Sequence, residues 1–170
     1  TGDDFRTVGG DYYKPTDADY EANCEEARAL LAEAGYENGE GFPVVEYLYN
    51  TSDAHKAVAE ALQYMWEEEL GVKVTLNNQE WAAFLQTRKD GDYSIARNGW
   101  IADYNDPISF LDMWMTGGGN NDAQYSNEEY DSLIKEAKTT TDVKERMELL
   151  HKAEDKIIGE DNALAPLYFY

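Results

Sequence analysis

The most regular stretch of the chain is TSDAHKAVAEALQYMWEEELG, where Ala54, Ala57, Val58, Ala61, Leu62 and Met65 recur at spacings of three and four with acidic residues opposite. That period predicts an amphipathic helix, ended by Gly71. Upstream, Asn23 is placed to cap a helix running through Ala34, with Glu25 and Glu26 in its first turn and Gly35 as a left-handed stop. Its buried stripe would be Ala27, Leu30, Leu31 and Ala34. The turn formers of YENGEGFP separate this helix from VVEYLYN, which has the Val and Tyr content of a strand. VKVTLNN alternates apolar and polar residues and predicts a second strand, and QEWAAFLQTRKDG returns to helical spacing with Trp81, Phe84 and Leu85 on one side. DYSIARNG reads as a short third strand. Beyond it, PISFLDMWM predicts a short helix begun at Pro107, with Asp106 as its cap, and TGGGNNDAQ predicts a loop. Ser126 with Glu129 forms a capping box for a helix to about Lys138, and Asp142 starts another that buries Val143, Met147, Leu150 and Ile157. ALAPLYFY predicts a final strand.

Helices and strands therefore alternate, which argues for an α/β layer fold whose strand ends and following loops carry the site. At 170 residues the chain is expected to form one domain, 1–170, with a sizeable core. There is no internal repeat and no apolar run long enough to span a bilayer. The chain opens on a polar segment without the features of a signal peptide and stops on an apolar one, so it is expected to be a piece of a longer protein.

Charge changes the picture next. Thirty-five Asp and Glu against fourteen Lys and Arg give a net charge of −21, which repels nucleic acid and anionic lipid alike. No nucleic-acid partner is expected. The acidity serves solubility, or alternatively an interaction with a basic partner that salt would weaken. Cys24 is the single cysteine, so neither an internal disulfide nor a cysteine metal cluster can form.

Catalytic signatures are missing: no Gly-x-Ser-x-Gly, His-Glu-x-x-His or phosphate-loop pattern occurs. DYNDP lacks the longer ligand alternation of a calcium loop, and GGGNND lacks the Lys and hydroxyl of a phosphate cradle. No metal and no cofactor is expected. The scarce cations are more informative. Arg88 ends a predicted helix and Arg97 ends a predicted strand, and each offers a planar fork suited to a carboxylate. On charge statistics alone, each Arg would simply pair with a nearby Asp, such as Asp90 or Asp92. His55, in the first turn of its helix, serves as a cap or as a titratable cation. Trp100 reads as core packing with its indole N–H bonded. Asp103, after a Trp and an Ile, is expected to be partly desolvated and in need of a cation or donors.

Three stretches together resemble the oligopeptide-binding proteins of ABC peptide importers, within the family 5 extracellular solute-binding proteins of peptide and nickel type. They are YNTSDAHK, GVKVTLNNQEWAAFLQTRKDGDYSIARNGWIADYNDPISFLDMW and NNDAQYSNEEYDSLI. The resemblance implies a periplasmic-binding-protein-like type II fold, with a mixed sheet flanked by helices. The chain would then be most of the second lobe of a two-lobed, non-enzymatic protein that traps an extended peptide between its lobes. The partners implied are oligopeptides, the missing first lobe and the membrane subunits of an ABC permease. The location implied is outside the cytoplasmic membrane, periplasmic or as a lipoprotein. Residue by residue, Asp103 matches the carboxylate that pairs with the peptide amine, beside Trp100 and the backbone at Gly99 and Ile101. Arg97, Arg88 and His55 match the cations that meet the C-terminal carboxylate. Ile101 stands where some relatives have a smaller residue, which narrows the neighbouring space. Alternative ligands in such a family are a dipeptide, a murein peptide, a nickel complex or a signalling peptide. A hydrolase with Asp103 and His55 as acid and base is the reading from another class.

Overall fold

The structure is a computed structural model and describes residues 5–9, 12 and 16–169. In chain order its elements are α1 (Phe5–Gly9), α2 (Asp17–Glu33), β1 (Val45–Asn50), α3 (Asp53–Leu70), β2 (Val74–Gln79), α4 (Trp81–Asp90) and β3 (Ile95–Ala96). Then follow α5 (Ile108–Leu111), α6 (Glu128–Thr139) and α7 (Val143–Glu154), with a π-helical turn at Asp155–Glu160. The chain divides into two compact units, Lys14–Gly99 and Thr1–Tyr13 with Trp100–Tyr170.

The Lys14–Gly99 unit is α/β, as the alternation predicts. Its sheet has the order β2-β1-β3, with Val45 to Asn50 registered against Val74 to Gln79 and Tyr47–Leu48 against Ile95–Ala96. Among the described residues all three strands pair in parallel, and none runs antiparallel to make the sheet mixed as the resemblance implies. Central β1 buries Tyr47, Leu48, Tyr49 and Asn50, as a strand covered on both faces must. Tyr47, Tyr49, Ala59, Val72 and Val74 form the core, with Leu31, Leu62, Trp66 and Leu76 packed against them. Gly71 closes α3 at φ 67°, where a Cβ would run into the Asn38 carbonyl; only glycine fits that approach.

Several predicted faces are rotated. In α3, Val58 and Leu62 are half-buried as expected and Ala59 is fully buried, but Ala54, Ala57, Ala61 and Met65 face solvent. Trp66 sets the face, lying edge-on to Tyr47 with centroids 6.3 Å apart. An indole removes far more apolar area from water than a methyl group, so the alanines do not decide the orientation. For α2, the helix begins at Asp17 instead of after Asn23, and Leu30 is 59% exposed. In α4 only Phe84 is buried, while Trp81 stacks on it from outside at 5.8 Å and Leu85 stays exposed.

The other unit is helical among its described residues. Tyr130, Ile134, Ala137, Leu149, Leu150, Ala153 and Ile157 interlock with Ile108, Leu111, Met113 and Trp114. The N-cap of α6 is Asn127, one residue after the predicted Ser126, and its side chain accepts from the Glu129 and Tyr130 amides at 2.9 and 3.1 Å. Asp142 caps α7 as predicted, accepting from Glu145 N at 2.9 Å. Val143, in the first turn, is 54% exposed instead of buried. ALAPLYFY is not a strand over residues 163–169, and Tyr170 lies outside the described residues. Among the described residues no neighbouring strand pairs with it, and an apolar run becomes a strand only with a partner.

Candidate ligand-binding site

Parallel strands bring their carboxyl ends to one edge, the customary ligand edge of α/β sheets. In the Lys14–Gly99 unit that edge collects three of the predicted cations. The Arg97 amide donates to the Leu48 carbonyl at 2.8 Å, so the β3 ladder continues one residue past Ala96 and orients Arg97. Arg97 Nη1 donates to Asn50 Oδ1 at 3.3 Å. His55, in the first turn of α3, sets Nδ1 3.4 Å from the Asn50 carbonyl oxygen. Arg88, in the last turn of α4, lies over the Phe84 ring at 5.1 Å and donates through Nη1 to Asn98 Oδ1 at 3.0 Å. The same atom reaches the Arg97 carbonyl at 3.4 Å. Asn98 Oδ1 also accepts from the exposed Gly99 amide at 2.8 Å. An open cavity of about 280 Å³ along the ends of β1 and β2 is lined by Tyr49, Thr51, Ser52, Asp53, Lys56 and Asn78.

Asn50 and Asn98, which accept from Arg97 and Arg88, do not stand out as site residues in the sequence. Their signal was a polar amide closing each strand run, in YLYN and in IARN. Such residues read as turn formers until the topology puts them side by side.

In the Trp100–Tyr170 segment, Asp103 lies on a bend ahead of α5 and its amide donates to Ser109 Oγ at 3.1 Å. Three residues on, Asp106 organises the bend. Its carboxylate takes a bidentate grip from Arg146 of α7, both bonds 2.8 Å, and Oδ1 also accepts from the Ile108 amide at 2.9 Å. The Arg146 guanidinium holds the Asp106 carboxyl below the usual carboxylate range, partly opposed by desolvation, and the Ile108 amide adds to the lowering. The predicted capping by Asp106 is present, and the ion pair ties it to α7.

Asp103, Trp100, Ser109, Asp112, Gly119 and Asn120 are among the residues lining an open cavity of about 400 Å³. Two expectations change here. Asp103 is exposed, not desolvated, at the start of the bend over residues 103–106. Trp100 packs against the helical core as predicted, but its buried Nε1 has no hydrogen-bond partner among the described residues. Ile101 is 84% exposed.

These surfaces offer hydrogen bonds and charge at two kinds of place: guanidinium and imidazole donors at a sheet edge, and a solvated carboxylate on a cavity wall. They suit recognition of charged groups. Among the described residues no group of three or more His, Cys, Asp or Glu side chains is arranged to hold a metal, and no helix is long and apolar enough to cross a membrane.

A parallel α/β sheet with cations at its carboxyl edge, next in the chain to a carboxylate-lined cavity, defines a ligand-binding module. Residues 4–122 match the model of the bacterial extracellular solute-binding proteins, family 5 Middle, and the chain belongs to that family. It is 44% identical over 146 residues to the periplasmic oligopeptide-binding protein OppA of Salmonella typhimurium, covering 86% of this chain and 26% of the relative. To the oligopeptide-binding protein OppA of Bacillus subtilis it is 41% identical, covering 94% and 29%. The solved structure of Haemophilus influenzae OppA in complex with RPPGFSPFR superposes with a TM-score of 0.81 at 36% identity, covering 94% of this chain and 32% of that one. The fold is thus periplasmic-binding-protein-like, and the chain spans between about a quarter and a third of the length of these relatives.

Proposed function

We propose that this chain is the greater part of the second lobe of the substrate-binding component of an ABC importer, one that captures oligopeptides by their termini and backbone. The carrying observation is the gathering of Arg97, Arg88 and His55 at one sheet edge. A peptide's α-carboxylate is the anion common to all peptides, and several donors at one edge bind it without reading sequence. Asp103 meets the peptide ammonium, Trp100 walls the neighbouring space, and Gly99 and Ile101 supply backbone contact. Exposed here, Asp103 is desolvated when the first lobe closes over the ligand, which strengthens its pairing. The loaded protein works outside the cytoplasmic membrane, as a periplasmic protein or a lipoprotein, and docks on the permease subunits. It performs no chemistry on the peptide.

Purifying the full-length protein under mild conditions and identifying its bound material by mass spectrometry tests this. A mixture of oligopeptides of varied sequence is expected. A single non-peptide ligand would overturn the proposal.

A further inference from the structure

We infer that Asn50 is the positioning residue of the sheet edge: its buried, uncharged side-chain amide aims Arg97 at a ligand carboxylate without setting a negative charge beside it, while its backbone carbonyl faces His55. This role rests on the peptide reading above. Asn50 is the last residue of β1, flanked by β2 and β3, and is 9% exposed. Its side-chain oxygen accepts from Arg97 Nη1 at 3.3 Å, and its backbone oxygen lies 3.4 Å from His55 Nδ1. Asn50 therefore touches Arg97 through its side chain and His55 through its backbone, two residues that arrive from different elements, the end of β3 and the start of α3.

The chemistry turns on the amide being neutral. A guanidinium carries five N–H donors in a rigid fork, so an acceptor that engages it through one nitrogen can orient the rest. An aspartate in the same place would keep the shape and the hydrogen bond. It would also set a full negative charge against Arg97 and compete with the ligand's carboxylate for it. With thirty-five acidic residues against fourteen basic, a neutral acceptor at this spot runs against the chain's composition. Asn98 makes a similar bond to Arg88 but is exposed, where water can replace it. Water cannot take over so easily for the buried Asn50.

The test uses the full-length protein stripped of bound material, with tetra-alanine and its C-terminal amide as probes. Calorimetry compares wild type, Asn50→Asp and Asn50→Ala, each checked for an unchanged unfolding midpoint. Wild type should prefer the free acid by at least about tenfold, the scale of a hydrogen bond to a charged group. Asn50→Asp, nearly isosteric, should lose most of that preference while its affinity for the amide stays within about twofold of wild type. Asn50→Ala should lose part of it, and carries the test alone should the aspartate variant fold poorly. If wild type discriminates and both variants discriminate equally well, or both probes weaken by one common factor, the positioning role is overturned while the peptide reading stands. If wild type itself shows no preference, the carboxylate reading fails, and this role fails with it.

Discussion

The two units hold their candidate groups by different means. At the sheet edge, Arg97 is aligned by a β-ladder amide and a buried asparagine, and Arg88 lies on a buried phenylalanine ring. Strand pairing and core packing fix these side chains, so their placement is as stable as the unit itself. In the helical unit, Asp103 projects from a bend whose geometry depends on Asp106 and its bidentate bond to Arg146. A sheet edge places side chains through many cooperative bonds, and a bend places them through a few titratable ones. The second should be the more sensitive to pH and to single substitutions.

Substitutions in the two units sharpen or break that contrast. The largest effect is expected from Phe84→Ala in the full-length protein. Removing this fully buried ring should cost about 3–5 kcal/mol of stability, read from denaturant unfolding. It also takes away the surface under Arg88. A loss below about 1 kcal/mol would mean that the sheet edge does not depend on this core contact.

Asp106→Ala comes next, at about 1–3 kcal/mol, because it leaves a partly buried guanidinium without its partner. Its pH signature has a definite sign. The folded carboxyl is held below its ordinary value, so its stabilisation is present above that value and is lost as pH falls through the depressed one. Urea midpoints between about pH 3 and 6 should therefore fall less steeply in Asp106→Asn than in wild type. Identical slopes would show that the pair does not govern the bend.

The smallest effect involves His151 of α7, stacked on Phe5 at 3.8 Å and tilted by 14°. Burial pushes its imidazole below the ordinary range, against the opposing charge of Asp155. The unfolded chain takes up a proton first as pH drops below about 6.5, so stability falls there. Neighbouring Glu154 is pushed up by burial, which acts in the opposite sense and at lower pH. His151→Phe should abolish the imidazole contribution and flatten the change in unfolding midpoint between about pH 7.5 and 5.5 by under about 1 kcal/mol. An unchanged slope would show that His151 does not contribute to the pH dependence of stability.

The alternation of helices and strands, the helix after YNTSD, the Asp142 cap and the Asp106 cap were all legible in the chain, because local propensity and capping chemistry decide them. Side-chain periodicity alone failed where alanine carried the pattern, as in α3, since the position of Trp66 against Tyr47 is a tertiary fact. Ser126 lost to Asn127 because both residues cap and only backbone geometry chooses between them. ALAPLYFY shows that apolar content predicts a strand but cannot supply its partner. At the site, the cations were visible as scarce charges in a −21 chain. Asn50 and Asn98 were not, because strand order is what makes them neighbours of arginines.

If charges on this chain read the ends of a peptide, Asp103 is the residue whose loss shows it most directly. Calorimetry on the full-length protein would compare tetra-alanine with its N-acetylated form, in wild type and in Asp103→Ala. The substitution should weaken binding of the free peptide by about 2–5 kcal/mol, the usual cost of removing one partner from a desolvated charge pair. The acetylated peptide, already lacking its ammonium, should bind both proteins alike. Unchanged affinity for the free peptide, or an equal loss for both peptides, would contradict the claim.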